Sequence, residues 1–418
     1  MPTYEDSLIQ FEDEQPKMAV VIDELDQYPI NFKNKYQKYK YLGQGAQGAV
    51  IKYEIINISD DDEFENQCKR FVAIKFEEIA NTKTQTLLNE SLICKKLSME
   101  KGLANVPKYF EHGFFKDGEA SYNYLIMESL EISFMNKIQD SIENLGEQET
   151  SAYLQLVTTS LILSLKTFHS SGYVHLDIKP DNIMIRRNQD KNEFCFIDLG
   201  TSLEYMDNFG IHKRFKQTGA IRGTTVFASK NSLMMYELSR RDDLESLFLT
   251  MIYIINKLVM KVDGFPYQKD VQVEDNSGLR FQILSNKITQ IVDEYLFKGD
   301  HSNWVTKQII KCIKQVRKLR FEEEPDYQIL IDTVNQQQPQ QLQKVEEQLD
   351  LAPVPKNLPQ NQDQELREQR QIQQHNSNEG LIEDKDSNRN SEPLIQQVYL
   401  MCNLYHIVQE KKAVYMQF

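Results

Sequence analysis

Eight consecutive residues, His175-Leu176-Asp177-Ile178-Lys179-Pro180-Asp181-Asn182, put a carboxylate, an ammonium and an amide into one short loop. A carboxylate can accept or orient a hydroxyl proton. A lysine two residues on can meet the charge of a transferring phosphoryl group, and an amide can ligate a hard metal ion. The chemistry is phosphoryl transfer, with Asp177 as base, Lys179 as γ-phosphate contact and Asn182 as a magnesium ligand. His175 reads as a packed structural histidine rather than an acid or base. A second carboxylate follows 21 residues after Asp177, where the apolar strand Phe194-Cys195-Phe196-Ile197 delivers Asp198 ahead of Leu199-Gly200. Asp198 would hold magnesium between the β- and γ-phosphates. Cys195 reads as a buried, unreactive strand residue.

Those groups need a phosphate cradle, and the residues upstream offer one. Gly43-Gln44-Gly45-Ala46-Gln47-Gly48 is a G-x-G-x-x-G loop. It is followed by the β-branched run Ala49 to Ile56, so it joins two strands instead of opening a helix. Gly43, Gln44, Gly45 and Gly48 are then candidates to cover ATP phosphates; the plain alternative is a glycine-rich hairpin without a ligand. Phe71-Val72-Ala73-Ile74-Lys75 is an apolar strand ending in lysine, and Glu90 lies 15 residues later in a predicted helix. Lys75 would meet the α- and β-phosphates, with Glu90 fixing its rotamer. Alone, these two would be a strand-end lysine and a solvated helix face. The order glycine loop, strand lysine, helix glutamate, H-x-D loop and D-x-G strand resembles a protein kinase.

Composition bounds the rest. The chain has 418 residues, is 40% hydrophobic and carries 48 Lys+Arg against 62 Asp+Glu, a net charge of -14. That balance argues against a nucleic-acid partner and against adhesion to anionic membranes. Cys68, Cys94, Cys195, Cys312 and Cys402 are dispersed with no C-x-x-C pair, which argues against a structural zinc site or a disulfide scaffold. The start, Met1 to Pro16, is acidic and lacks the order of a signal peptide. The apolar stretch Leu247 to Ile255 is about half a membrane span. An intracellular protein is expected, cytoplasmic and/or nuclear.

Four regions are expected: an acidic N-terminal extension over 1–35, a folded domain over 36–335, a Gln-rich flexible tail over 336–392, and a short apolar segment over 393–418. Fourteen of the 40 residues from 336 to 375 are Gln, interrupted by four prolines, a composition that cannot bury enough apolar surface to offset its ordering entropy. The fold class is α+β, with two lobes: a small β-rich lobe over about 36–130 and a larger, mainly α lobe over about 131–335. The tails are candidates for binding protein partners. Oligomeric state is left open.

Gly223-Thr224-Thr225-Val226-Phe227-Ala228-Ser229 and Ser239-Arg240-Arg241-Asp242-Asp243-Leu244-Glu245-Ser246-Leu247 resemble the casein kinase I group of Ser/Thr kinases, in which these two segments stand where most kinases have A-P-E, and Arg317 to Tyr327 is similar to the end of the same group's domain. The resemblance implies ATP and Mg2+ as cosubstrate and cofactor, and protein substrates with Ser/Thr acceptors. It places Val50, Ala73, Met127 (the gatekeeper) and Leu130 (the hinge) around the nucleotide, and Thr224 beside Asp177. It makes Asp243 an anchor for the catalytic loop, with Arg240, Arg241 and Asp242 forming a capped helix start. Four departures stand out. Leu176 replaces an Arg that commonly receives an activation-loop phosphate, Val226 an Arg that helps bind acidic substrates, Gln47 an aromatic at the loop tip, and Leu199 the Phe of D-F-G. A nucleotide-binding pseudokinase is therefore the alternative reading, against which every phosphate- or metal-contacting residue is present.

Overall fold

The computed structural model describes residues 28–45, 48–56, 71–81, 86–188, 191–207, 209–216, 221–268 and 279–336. The expected Gln-rich tail beyond position 336, the apolar segment 393–418, the loop tip Ala46-Gln47 and the insert 57–70 lie outside the described residues.

Six strands make one antiparallel sheet. They are β1 (Asn31–Phe32), β2 (Tyr36–Gly45), β3 (Gly48–Ile55), β4 (Phe71–Glu78), β5 (Tyr109–Asp117) and β6 (Ala120–Glu128), in the order β1-β2-β3-β4-β6-β5. Along β3 every second residue is buried, the period-2 pattern of a strand with one covered face. Central β4 buries Val72 to Glu77 on both faces, which its continuous apolar run anticipates. Helix α1 (Thr86–Lys95) buries Leu87, Glu90, Ser91, Ile93 and Cys94, and runs on into a π-turn, Lys96–Glu100.

The sheet's aromatic core joins Tyr28, Phe32, Tyr36, Tyr53, Phe76, Tyr122 and Tyr124. Phe32 meets Phe76, Phe115 and Tyr124 edge-on, with ring centroids 5.0–5.5 Å apart. The folded lobe therefore starts before position 36. Residues 28–35, expected within the N-terminal extension, contribute strand β1 and two core aromatics. The acidic residues that mark the extension all precede Tyr28.

The second lobe is mainly helical. In chain order it holds β7 (Ile132–Ser133), α2 (Phe134–Ile142), α3 (Glu147–Ser170), β8 (Tyr173–Val174), β9 (Ile183–Asn188), β10 (Lys191–Phe196), β11 (Leu203–Glu204), α4 (Lys230–Leu233), α5 (Arg240–Ile254), α6 (Leu279–Lys298), α7 (Trp304–Val316) and α8 (Tyr327–Val334). Leu154, Leu161, Leu165, Phe248, Ile252, Ile309 and Ile313 of α3, α5 and α7 share one core. Each such side chain contributes about 1.5–3 kcal/mol on burial. Helix α5 starts where the Asp242 carboxylate accepts the Ser239 N–H at 2.8 Å, and α3 where Glu149 accepts that of Gly146 at 2.8 Å. The β9–β10 hairpin pairs Ile183 with Phe196, and its two ends carry Asn182 and Asp198 to the same edge. Among the described residues, no helix is long and apolar enough to cross a membrane.

Candidate active site

Lys75, midway along β4, is 5% exposed, and its Nζ lies 2.7 Å from Glu90 Oε2 and 2.9 Å from Asp198 Oδ1. Three elements distant in sequence thus share one ion cluster. Burial alone would lower the Lys75 pKa, but the Glu90 and Asp198 carboxylates more than offset that and raise it, so the ammonium is held charged. Burial also acts on Asp198, yet Lys75 outweighs it and holds that carboxyl below the usual range. Glu90, fully enclosed, is pushed up by desolvation, while Lys75 beside it pulls the other way.

The loop from His175 to Asn182 is drawn around Asp177. Asp177 Oδ1 accepts the Thr224 N–H at 2.7 Å and the Thr224 hydroxyl at 2.8 Å. Its Oδ2 accepts Lys179 Nζ at 2.9 Å and Asn182 Nδ2 at 3.0 Å. Lys179 Nζ also donates to Thr224 Oγ1 at 2.8 Å, closing a ring of three side chains. Asn182 Nδ2 bonds the Asp177 carbonyl as well, at 2.8 Å, which leaves the amide oxygen as the remaining ligand atom. The Ile197 N–H donates to the Asn182 carbonyl at 3.0 Å, setting Asp198 beside it. One amide oxygen and one carboxylate are a hard, incomplete donor set. That fits a magnesium ion whose other ligands are phosphate oxygens and water. Gly223 has φ +78°, and a Cβ there would come within 2.4 Å of the Leu176 carbonyl, so only glycine lets Thr224 reach Asp177.

The remaining candidates lie on β2, β3, β4 and β6, or just after it. Gly43 and Gln44 pair with Val50 and Ala49 at the turn end of the β2–β3 hairpin, and Gly45 pairs with Gly48. Gly43 has open space where a Cβ would stand, whereas a Cβ on Gly48 would meet the Phe76 carbonyl at 1.8 Å. Gln44 is exposed and accepts from the Tyr41 hydroxyl at 3.1 Å. Val50 is opposite Lys75 in the register, and Ala73 is opposite Met127. Leu130 follows β6, and its side chain lines a 690 Å³ cavity together with Phe71, Ser129, Ile132 and Arg186. Lys75, Asp177 and Asp198 are not part of that cavity.

His175 is fully buried and donates from Nε2 to the Ile197 carbonyl at 3.0 Å, packed against Phe168 and Phe196. Leu176 joins an apolar cluster with Val174, Tyr205 and Leu238. Burial pushes the Cys195 thiol up to about 12, so it is inert. Sequence reasoning did not single out His169. It is buried between Tyr327 (2.7 Å) and Asp243 (2.9 Å), and burial lowers its pKa, keeping it neutral. Nothing in the local sequence marks it, because its partners are 158 and 74 residues away.

A β-rich lobe and a helical lobe, with a lysine–glutamate pair in one and an Asp-Lys-Asn loop in the other, define a phosphotransferase of the kinase class. A family model, the protein kinase domain, matches residues 36–322. The chain belongs to the protein kinase family.

Proposed function

We propose that the protein is a Ser/Thr kinase of casein kinase I type, transferring the γ-phosphate of ATP to hydroxyls of protein substrates. The observation that carries this is the Asp177–Lys179–Thr224 ring set beside the Lys75–Glu90–Asp198 cluster. Asp177 orients the acceptor hydroxyl and takes its proton. Lys179, tethered between Asp177 and Thr224, meets the charge that develops on the transferring group. Lys75 holds the α- and β-phosphates, while the Gly43–Gly48 hairpin covers them. Val50, Ala73, Met127 and the Leu130 backbone receive the adenine. Asn182 and Asp198 would hold a magnesium ion, which would supply positive charge to offset that of the phosphates.

Val226 supports a relaxed preference for acidic substrates. It sits in the 3-10 turn Thr225–Phe227 and packs against the helical core, bringing no positive charge to the acceptor side. The test is phosphate transfer from Mg-ATP to casein and to a neutral Ser/Thr peptide, beside Asp177→Asn. Wild-type transfer that the variant lacks by about a thousandfold or more supports the enzyme. Comparable rates on both substrates support the relaxed preference. Absence of transfer while ATP still raises the melting temperature would replace this reading with a nucleotide-binding pseudokinase.

A further inference from the structure

Glu204 gathers three parts of the molecule onto one oxygen. Its Oε1 accepts Lys96 Nζ at 2.5 Å and the Tyr173 hydroxyl at 2.8 Å. Lys96 opens the π-turn that prolongs α1, the helix that carries Glu90. Its Nζ also stands 5.6 Å from the Tyr173 ring centroid, within cation–π range. Tyr173 lies on β8, two residues before His175, and is the cross-strand partner of Glu204 on β11. Glu204 itself is six residues beyond Asp198.

This arrangement sits opposite the Leu176 substitution. Leu203 and Tyr205 pack into the apolar cluster around Leu176. Glu204 between them reaches the other way, toward α1. The loop thus offers leucine where a cation would receive an anion, and the anion is built into β11 and received by α1. The pKa directions agree. The hydrogen bond to Glu204 raises Lys96; burial would raise Glu204, but Lys96 and Tyr173 outweigh it and lower it.

We propose that Glu204, Lys96 and Tyr173 form a clamp that positions α1. It would hold the C-terminal end of that helix against β8 and β11 so that Glu90 stays on Lys75. These are positioning residues, and the proposal rests on the kinase reading above for its effect on turnover. The Lys96 and Glu204 side chains are 41% and 37% exposed, so the pair adds little to global stability. Its effect should fall on where α1 sits.

The test uses the full chain with Glu204→Gln, Lys96→Met and both together. Each single variant is expected to lower kcat/KM for Mg-ATP about five- to tenfold, the range of coupling for contacting side chains. The double variant should be no worse than the single ones, KM for the protein substrate should hold, and the melting temperature should move by no more than about 2 °C. Unchanged single variants, or losses that multiply in the double, would overturn the clamp. If wild type transfers no more phosphate than Asp177→Asn, the kinase reading fails, and amide hydrogen exchange over residues 86–100 decides this one separately. Faster exchange in Glu204→Gln upholds the clamp, and equal protection overturns it.

Discussion

Asp243 Oδ1 accepts the backbone N–H of Leu176 at 2.7 Å, and Leu176 has φ +68°. A leucine in the left-handed region costs about 1–2 kcal/mol, so something must hold it there. Asp243 does so from α5, taking the His175 N–H on Oδ2 at 2.6 Å and contacting His169 as well. The strained residue directly precedes Asp177, and this one buried carboxylate sets the direction in which Asp177 leaves the loop. Replacing Asp243 with Asn puts an N–H₂ against a backbone N–H. We expect a loss of about 3–5 kcal/mol in urea unfolding, with turnover falling further than stability explains.

Lys75→Met would leave Glu90 and Asp198 facing each other without a cation. Asp198, held low by Lys75 in the wild type, contributes stability that is present above the ordinary aspartate pKa and is lost as pH falls through its depressed native value. The variant lacks that contribution. The gap in melting temperature between wild type and variant should therefore be widest at neutral pH and should narrow below about pH 4. A gap independent of pH between 3 and 7 would show that the pair carries no such linkage.

The glycine hairpin separates folding from binding. Gly48 has φ +138° and no room for a Cβ beneath β4, whereas Gly43 faces open space. Gly48→Ala should cost about 1–3 kcal/mol of stability. Gly43→Ala should stay within about 0.5 kcal/mol of wild type. If Gly43 covers phosphate, its variant should still weaken ATP in a titration, although its melting curve is unchanged.

Arg317 joins the end of α7 to α5 and α6. Its Nε and Nη2 both reach Glu245 Oε1, at 2.8 and 2.6 Å, and Nη1 pairs with Asp293, which in turn holds Lys230 at 2.8 Å. Glu245 is 2% exposed, so Arg317→Ala strands a buried carboxylate. The expected loss is about 3–5 kcal/mol in chemical denaturation. Arg317→Lys should recover less than half of it, since an ammonium cannot span both carboxylates in the same plane.

Much of the site was legible because its chemistry demands short spacings. Asp177, Lys179 and Asn182 must come from one loop, and Asp198 from the end of the strand that pairs beside it. The strands were legible where their burial is one-sided or complete, as in β3 and β4. The start of the small lobe was not, because Tyr28 and Phe32 are recognisable as core only once Phe76, Phe115 and Tyr124 surround them.

By itself the sequence determined the kinase class, the order of its motifs and the short spacing that brings Asp177, Lys179 and Asn182 into one loop. Residue type and local spacing set those, and both are written along the chain. Only the tertiary structure decided which distant groups hold the reacting ones in place. Asp243 with His169 and Tyr327, Glu204 with Lys96, and Arg317 with Glu245 pair across 72 to 108 positions, and across 158 between His169 and Tyr327. Packing of helices and strands brings such pairs together. A charged residue has the same appearance in sequence whether it is solvated or clamped, so no local pattern announces them.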